Sequence, residues 1–233
     1  MSLQIRHGEG RPSPKPKIYI ATPAYDGKVY VDYCTSLIAM LQVMDRAGIA
    51  YELGIENGDC YVAKARNKLA RKFLETDCTH LLFIDADVGF NVDNIPNILV
   101  QNYDICVGAY PMKNKDKIFP IRLMADDSGL IFDGDYQRCE MAATGFMVIT
   151  RQVLEDIREA HSYIEYKTDD GTPEWNFFHC GIINNQWWGE DFDFCRKAVK
   201  QGFQIWCYTD VVFRHWGLAH WEARCKDRLN ERS

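Results

Sequence analysis

The chain has 233 residues, 47% of them hydrophobic and 26% charged, enough to bury a sizeable core in one large domain or two small ones. Its formal net charge of -6 argues against a sequence-independent grip on nucleic acid, which needs a basic surface, so an anionic ligand has to be met by a local device such as a metal ion. No apolar run approaches the length of a membrane span and the start lacks the apolar stretch of a signal peptide, so a cytoplasmic protein with no membrane span is expected.

Residues 1–16 are polar, carry Pro12, Pro14 and Pro16, and show no periodicity, which predicts a flexible tail. Ile18 to Ala21 reads as a short strand, and Thr22-Pro23-Ala24-Tyr25-Asp26-Gly27 as a loop. From Asp32, a candidate N-cap, Cys34, Leu37, Ile38, Leu41 and Met44 follow helical spacing to a stop at Gly48. Ile49, Tyr51, Leu53 and Ile55 alternate as a strand, and Val62 to Glu75 reads as a second helix with Arg66 near its start. The apolar run Leu81 to Ile84 predicts a strand buried on both faces, a short helix is expected over Asp93 to Gln101, and Asp104 to Ala109 is a further strand. This alternation predicts an α/β domain with a mostly parallel sheet and helices on both faces. Beyond Tyr110-Pro111 the pattern is irregular, with Lys113, Lys115 and Lys117 in a loop and short strands at Ile121 to Met124 and Leu130 to Phe132. The strand Phe146 to Ile149 precedes a helix capped by Thr150 and ending near Ala160. Residues 161–189 form an aromatic-rich loop, Glu190 to Gln201 a helix stopped by Gly202, and Gln204 to Tyr208 and Val211 to Phe213 the last strands, with His215 after them. Residues 218–233 read as a helical C-terminal tail.

The nine cysteines include no Cys-x-x-Cys pair, which gives neither a zinc site nor a disulfide framework and points to a reducing compartment. Asp85 and Asp87 follow the buried strand at its carboxyl end, where ligands of parallel sheets gather. Two carboxylates so close repel unless a positive charge lies between them, and a divalent metal is the usual solution. Alone, an Asp-x-Asp is as well explained by turn capping and solvation.

Four patterns in order, Ala21-Thr22-Pro23-Ala24-Tyr25, Ala65-Arg66-Asn67, Asp85-Ala86-Asp87 and Gly189-Glu190-Asp191 with the later His215, resemble a GT-A glycosyltransferase over residues 17–217. The resemblance is to the small single-domain enzymes of phages and large DNA viruses. It implies a Rossmann-like single domain that takes a nucleoside-diphosphate sugar, UDP- or GDP-linked, and glycosylates a hydroxyl of a glycan or glycoconjugate. It implies donor binding by Thr22, Pro23, Tyr25, Arg66, Asn67 and Asp85, with Lys113 near the donor, and metal binding by Asp85, Asp87 and His215. Mn²⁺ or Mg²⁺ is implied, and an imidazole ligand suits Mn²⁺ better. In inverting members a carboxylate at Glu190-Asp191 is the base, here Asp191 with Glu190 as a sugar ligand, or the reverse. Trp187, Trp188 and His179 are expected at the acceptor, although core packing and a helix dipole account equally for the tryptophans and the acidic pair.

Two rival readings come from other classes. The Leu81 to Val88 stretch also resembles the first motif of haloacid-dehalogenase phosphohydrolases, with Asp85 as nucleophile, although two strand-helix units precede it in this chain. A GT-A module without turnover would keep the sheet and bind sugar alone. A sugar-nucleotide pyrophosphorylase would need a Gly-rich basic loop where Thr22 to Tyr25 stands.

Overall fold

The computed structural model describes residues 16–114 and 118–230, so the expected N-terminal tail falls almost wholly outside the described residues, as do Lys115 and Lys117. The first half runs β1 (Lys17–Ala24), α1 (Val31–Ala47), β2 (Ala50–Asn57), α2 (Val62–Leu74), β3 (His80–Ile84), β4 (Val88–Phe90), α3 (Pro96–Leu99) and β5 (Ile105–Gly108). β6 (Ile121–Leu123) is followed by three two-residue strands, β7 (Ala125–Asp126), β8 (Gly129–Leu130) and β9 (Phe132–Asp133). Then come β10 (Tyr136–Ala142), β11 (Phe146–Thr150), α4 (Arg151–Ala160) and a 3₁₀ turn (Ser162–Ile164). The hairpins β12 (Glu165–Lys167) with β13 (Pro173–Trp175) and β14 (Gly181–Ile183) with β15 (Gln186–Trp188) lead to α5 (Glu190–Lys200). β16 (Ile205–Tyr208), β17 (Val212–Trp216), β18 (His220–Arg224) and α6 (Cys225–Asn230) complete the described chain.

The main sheet has the order β2-β1-β3-β11-β5-β16-β10-β6, with β9 paired to β10. β1 is parallel to β2 and β3, β5 is parallel to β16, and only β11 and β10 run against both neighbours on that path. Side chains alternate across β3. Leu81 and Phe83 pack with Leu69 and Phe73 of α2, Leu154 of α4 and Phe194 of α5 on one face. Leu82 and Ile84 pack with Met40 and Met44 of α1, Ile98 of α3, Phe90 and Phe213 on the other. The expected Rossmann-like α/β domain, a mostly parallel sheet covered on both faces, is therefore the architecture present. A second sheet, β18-β17-β4, stands beyond the end of β3.

Several boundaries differ from the expectation. Thr22 to Ala24 extend β1 instead of forming a loop, because β2 continues beside them to Asn57 while β3 pairs only up to Ala21. Pro23 thus has an open side for its missing N–H. Helix α1 starts at Val31 with Tyr30 as N-cap, and Asp32 lies in its first turn; Gly48 ends it at φ 64°, in the left-handed region. The region 161–189 holds two hairpins instead of one long loop. Asn184 and Asn185 turn the second at φ 51° and 62°, as a type I′ turn requires. β10 went unpredicted because polar Gln137 is fully buried in it, its amide donating to the carbonyls of Met124, Ile131 and Arg138. His215 lies within β17, not after it. Residues assigned to a C-terminal tail include strand β18 and the buried Cys225, while α6 supplies the expected helix. All nine cysteines are free thiols, and no described helix is long and apolar enough to cross a membrane.

Candidate active site at the carboxyl edge of the sheet

The chain leaves β3 at Asp85 and turns tightly, and four backbone bonds fix that turn to three other segments and itself. Asp85 N–H donates to Gly145 O (3.0 Å) and Val88 N–H to Asp85 O (3.0 Å), while Ala86 and Asp87 carbonyls accept from Tyr30 N–H and Trp216 N–H (both 2.9 Å). The two carboxylates of this turn face different partners. Asp85 accepts through both oxygens from Arg66 Nη2, at 2.9 and 3.1 Å, and Arg66 Nη1 donates to Glu190 Oε1 at 2.5 Å. Arg66 is only 3% exposed. Burial opposes its charge, but Asp85 and Glu190 more than offset this and hold the guanidinium ionised. Asp85, expected as a metal ligand, here meets the buried guanidinium with both oxygens.

Asp87 faces the second sheet. β17 pairs with β4 so that His215 lies opposite Val88, which brings His215 Nε2 to 3.7 Å from Asp87 Oδ2. His215 Nδ1 meets the Pro111 carbonyl at 2.9 Å, which fixes the ring and turns Nε2 toward Asp87. Lys113 Nζ donates to the same Asp87 Oδ2 at 2.5 Å. Burial raises the Asp87 pKa, but His215 and Lys113 overcome it and the carboxyl lies below its usual value. One carboxylate oxygen beside one oriented imidazole nitrogen is a donor set that fits Mn²⁺ or Mg²⁺, with Mn²⁺ the better match to nitrogen. The one three-residue cluster of ligand-type groups among the described residues, Glu52, Asp77 and Cys78, already surrounds the Lys17 ammonium.

Asp191 opens α5 beside Glu190. Its pKa is raised to about 6, first by burial and then by the Glu190 charge, against the pull of Arg66. Its Oδ1 accepts from Phe192 N–H at 2.9 Å. Tyr110, buried above this group, accepts from Gly145 N–H at 3.2 Å, and burial together with Asp85 keeps its phenol neutral.

A cleft of about 700 Å³ runs from the end of β1 to these carboxylates, lined by Pro23, Tyr25, Val29, Val62, Asp85 and Asp87 among others. Tyr25 is 67% exposed over it. Thr22, expected here, is buried, its hydroxyl bonded to Tyr33 Oη at 2.6 Å. Asn67 is likewise buried: its amide donates to Asn176 Oδ1 and accepts from Phe178 N–H, both at 2.9 Å, so it ties α2 to the 176–178 segment instead of facing the cleft. A second cavity of about 540 Å³ is lined by the same Asn176 together with Tyr163, Tyr166, His179, Asp193 and Arg196 among others. Asp193 and Glu190, three residues apart, share one face of α5. Trp187 is exposed on the β14–β15 hairpin, and Trp188 is half-buried with the Arg196 guanidinium 5.7 Å from its ring centroid.

The sequence reading missed Tyr110, Asn176 and the anchor behind the metal-type pair. In that anchor Asp32 accepts from Arg214 Nε (2.7 Å), Arg214 Nη2 (3.0 Å) and Trp216 Nε1 (2.8 Å), gripping both sides of His215. Asp32 carried a signal, an acidic residue at a helix start, but that signal reads equally as a cap.

No family model matches the chain, and no curated protein matches it. Solved structures similar to it include a Drosophila β1,4-galactosyltransferase 7 in complex with manganese, UDP-Gal and xylobiose, at TM-score 0.48 and 15% identity over 84% of this chain and 66% of that one. Another is GalNAc-T7 with UDP, GalNAc and Mn²⁺, at TM-score 0.48 and 11% identity over 87% of this chain and 44% of that one. The inositol-1-phosphate CTP transferase of T. maritima gives TM-score 0.45 and 10% identity over 87% of this chain and 89% of that one. The chain spans less than two thirds of both glycosyltransferases it resembles. Each TM-score is below 0.5, and the chemistry open to this chain rests on its own residues. The likeness is one of fold alone.

Proposed function

We propose that this protein is a metal-dependent GT-A glycosyltransferase that moves a hexosyl group from a UDP- or GDP-sugar to a hydroxyl of a glycan or glycoconjugate, with inversion. The observation that carries the reading is the meeting, at one sheet edge, of the open Tyr25 cleft, the Asp87–His215 pair and a carboxyl raised to about 6 at Asp191. Pro23 and Tyr25 offer the nucleotide an apolar floor and a ring face. Asp87 and His215 would hold Mn²⁺ or Mg²⁺, which when bound supplies Lewis-acid stabilisation of the leaving diphosphate.

Between Glu190 and Asp191 the contacts favour Asp191 as base. Glu190 Oε1 is engaged by the Arg66 guanidinium, whereas Asp191 Oδ1 takes a neutral backbone N–H. A raised pKa makes Asp191 a better proton acceptor than an ordinary carboxylate, and it takes the acceptor hydroxyl's proton as that oxygen attacks the anomeric carbon. Arg66 holds Asp85 and Glu190 in register across β3 and α5. The second cavity, with His179 at its wall and Trp187 and Trp188 on the adjoining hairpin, is the acceptor side. The phosphohydrolase alternative needs Asp85 as an open nucleophile, and both of its oxygens face Arg66.

The test is isothermal titration of UDP and GDP into the protein with Mn²⁺ and then with EDTA. Micromolar binding of one nucleotide that is lost on chelation, and lost in Asp87→Asn, is the expected result. Nucleotide binding untouched by either change would overturn the metal-dependent reading.

A further inference from the structure

We propose that Lys113 guards Asp87: its ammonium occupies the carboxylate oxygen that a divalent cation needs, so that cation and nucleoside diphosphate bind as a coupled pair. This rests on the reading of Asp87 and His215 as the cation site. Lys113 Nζ at 2.5 Å and His215 Nε2 at 3.7 Å converge on the same atom, Asp87 Oδ2. A dication brought to that oxygen meets a full positive charge already in contact with it, and like charges at such range repel. The lysine therefore has to leave before the cation can settle.

The surroundings make Lys113 a seated group. Its stem lies along Gly217, where an added Cβ would come within 3.2 Å of Lys113 Cδ. Pro111, two residues before it, supplies the carbonyl that orients the His215 ring, so one short segment both aims the imidazole and delivers the competing ammonium. Met112 N–H donates to Ile118 O and Asn114 N–H to Met112 O, both at 2.7 Å, holding the backbone around Lys113. The pair is half-exposed, with side-chain exposures of 37% for Lys113 and 26% for Asp87, so the contact is weak enough to exchange. Metal alone must displace the ammonium into solvent. Metal with a diphosphate gives it an anionic partner at once, so each ligand raises the other's affinity.

The measurement is Mn²⁺ affinity, by isothermal titration and by the electron paramagnetic resonance of free Mn²⁺, without nucleotide, in wild type, Lys113→Met, Lys113→Arg and Asp87→Asn. Lys113→Met should bind Mn²⁺ roughly fivefold tighter than wild type, the worth of a half-exposed ion pair, while Lys113→Arg keeps the weak binding. In Lys113→Met, the tightening of Mn²⁺ by added UDP or GDP should also shrink. Equal affinity in Lys113→Met and wild type, with binding abolished in Asp87→Asn, would overturn the guard and leave the cation site standing. Mn²⁺ binding unchanged in Asp87→Asn would instead remove the cation site, and the guard with it. Lys113→Gln is the second charge-removing variant if Lys113→Met does not fold.

Discussion

Asp191 is held between opposing influences, burial and Glu190 raising its pKa and Arg66 lowering it, and the net result near 6 has consequences for both turnover and stability. Because the folded-state value lies above the unfolded one, the stabilising protonated form is fully populated below the usual carboxylate range and lost as pH rises through about 6. Replacing Asp191 by Asn should therefore stabilise the protein above pH 6, by about 1–3 kcal/mol, and the gain should be larger at pH 8 than at pH 5 in urea unfolding. The same variant should lose roughly 10²–10⁴-fold in transfer rate. In wild type the rate should fall on the acid side of a one-proton step near pH 6, and in Glu190→Gln that step should move down, since a raising charge is gone and Arg66 is freed. A step that stays near 6 in Glu190→Gln would show that Glu190 has no part in it. The chemistry-bearing residues of this site were legible in the sequence because each carboxylate stands at an element's end, where charge is unusual beside an apolar run. Their partners were not. That Arg66 takes Asp85 and Glu190 at once depends on contacts 19 and 124 residues apart, which no local pattern encodes.

At the scale of elements, β4 and β17 decide whether His215 reaches Asp87. Their pairing depends on Gly89, where an added Cβ would lie 2.1 Å from Asp32 Oδ2, the atom that receives Arg214 and Trp216. Gly89→Ala should thus push Asp32 off its partners and loosen β17. The expected outcome is a loss of about 1–3 kcal/mol in denaturant unfolding, of the size seen when packed sites are overfilled, together with weaker Mn²⁺ binding. Full stability with full Mn²⁺ affinity would show that the anchor is not needed. Long periodic elements such as α1, α2 and α5 were legible because one face of each packs on the sheet. β10 was not, since a buried Gln137, its amide donating to backbone carbonyls, breaks the apolar alternation. β18 was missed because alternating polar residues at a sheet edge look like a solvated tail.

Across the whole molecule, one cavity is lined by residues following β1 and β3, the other by residues 163–183 and α5, and the Asn67–Asn176 bond joins α2 to the wall of the second. In the proposed reading the donor and acceptor sides are thus built largely from different halves of the sequence. A ligand that binds only the folded form should raise the apparent stability of the entire domain by mass action, about 2.7 kcal/mol at a hundredfold excess over Kd. UDP or GDP with Mn²⁺ should therefore raise the melting temperature, and EDTA should cancel the shift; a shift that persists in EDTA would mean the nucleotide binds without the cation. The position of β17 adds a matter of timing. Its partner β4 is made more than a hundred residues earlier, so during synthesis Asp87 emerges long before Val212–Trp216 exist to place an imidazole beside it. A nascent chain halted short of that strand would carry the sheet core without its cation pair. With Asp87 and His215 as the proposed cation pair, Mn²⁺ retention would separate chains made past Trp216 from chains halted before Val212.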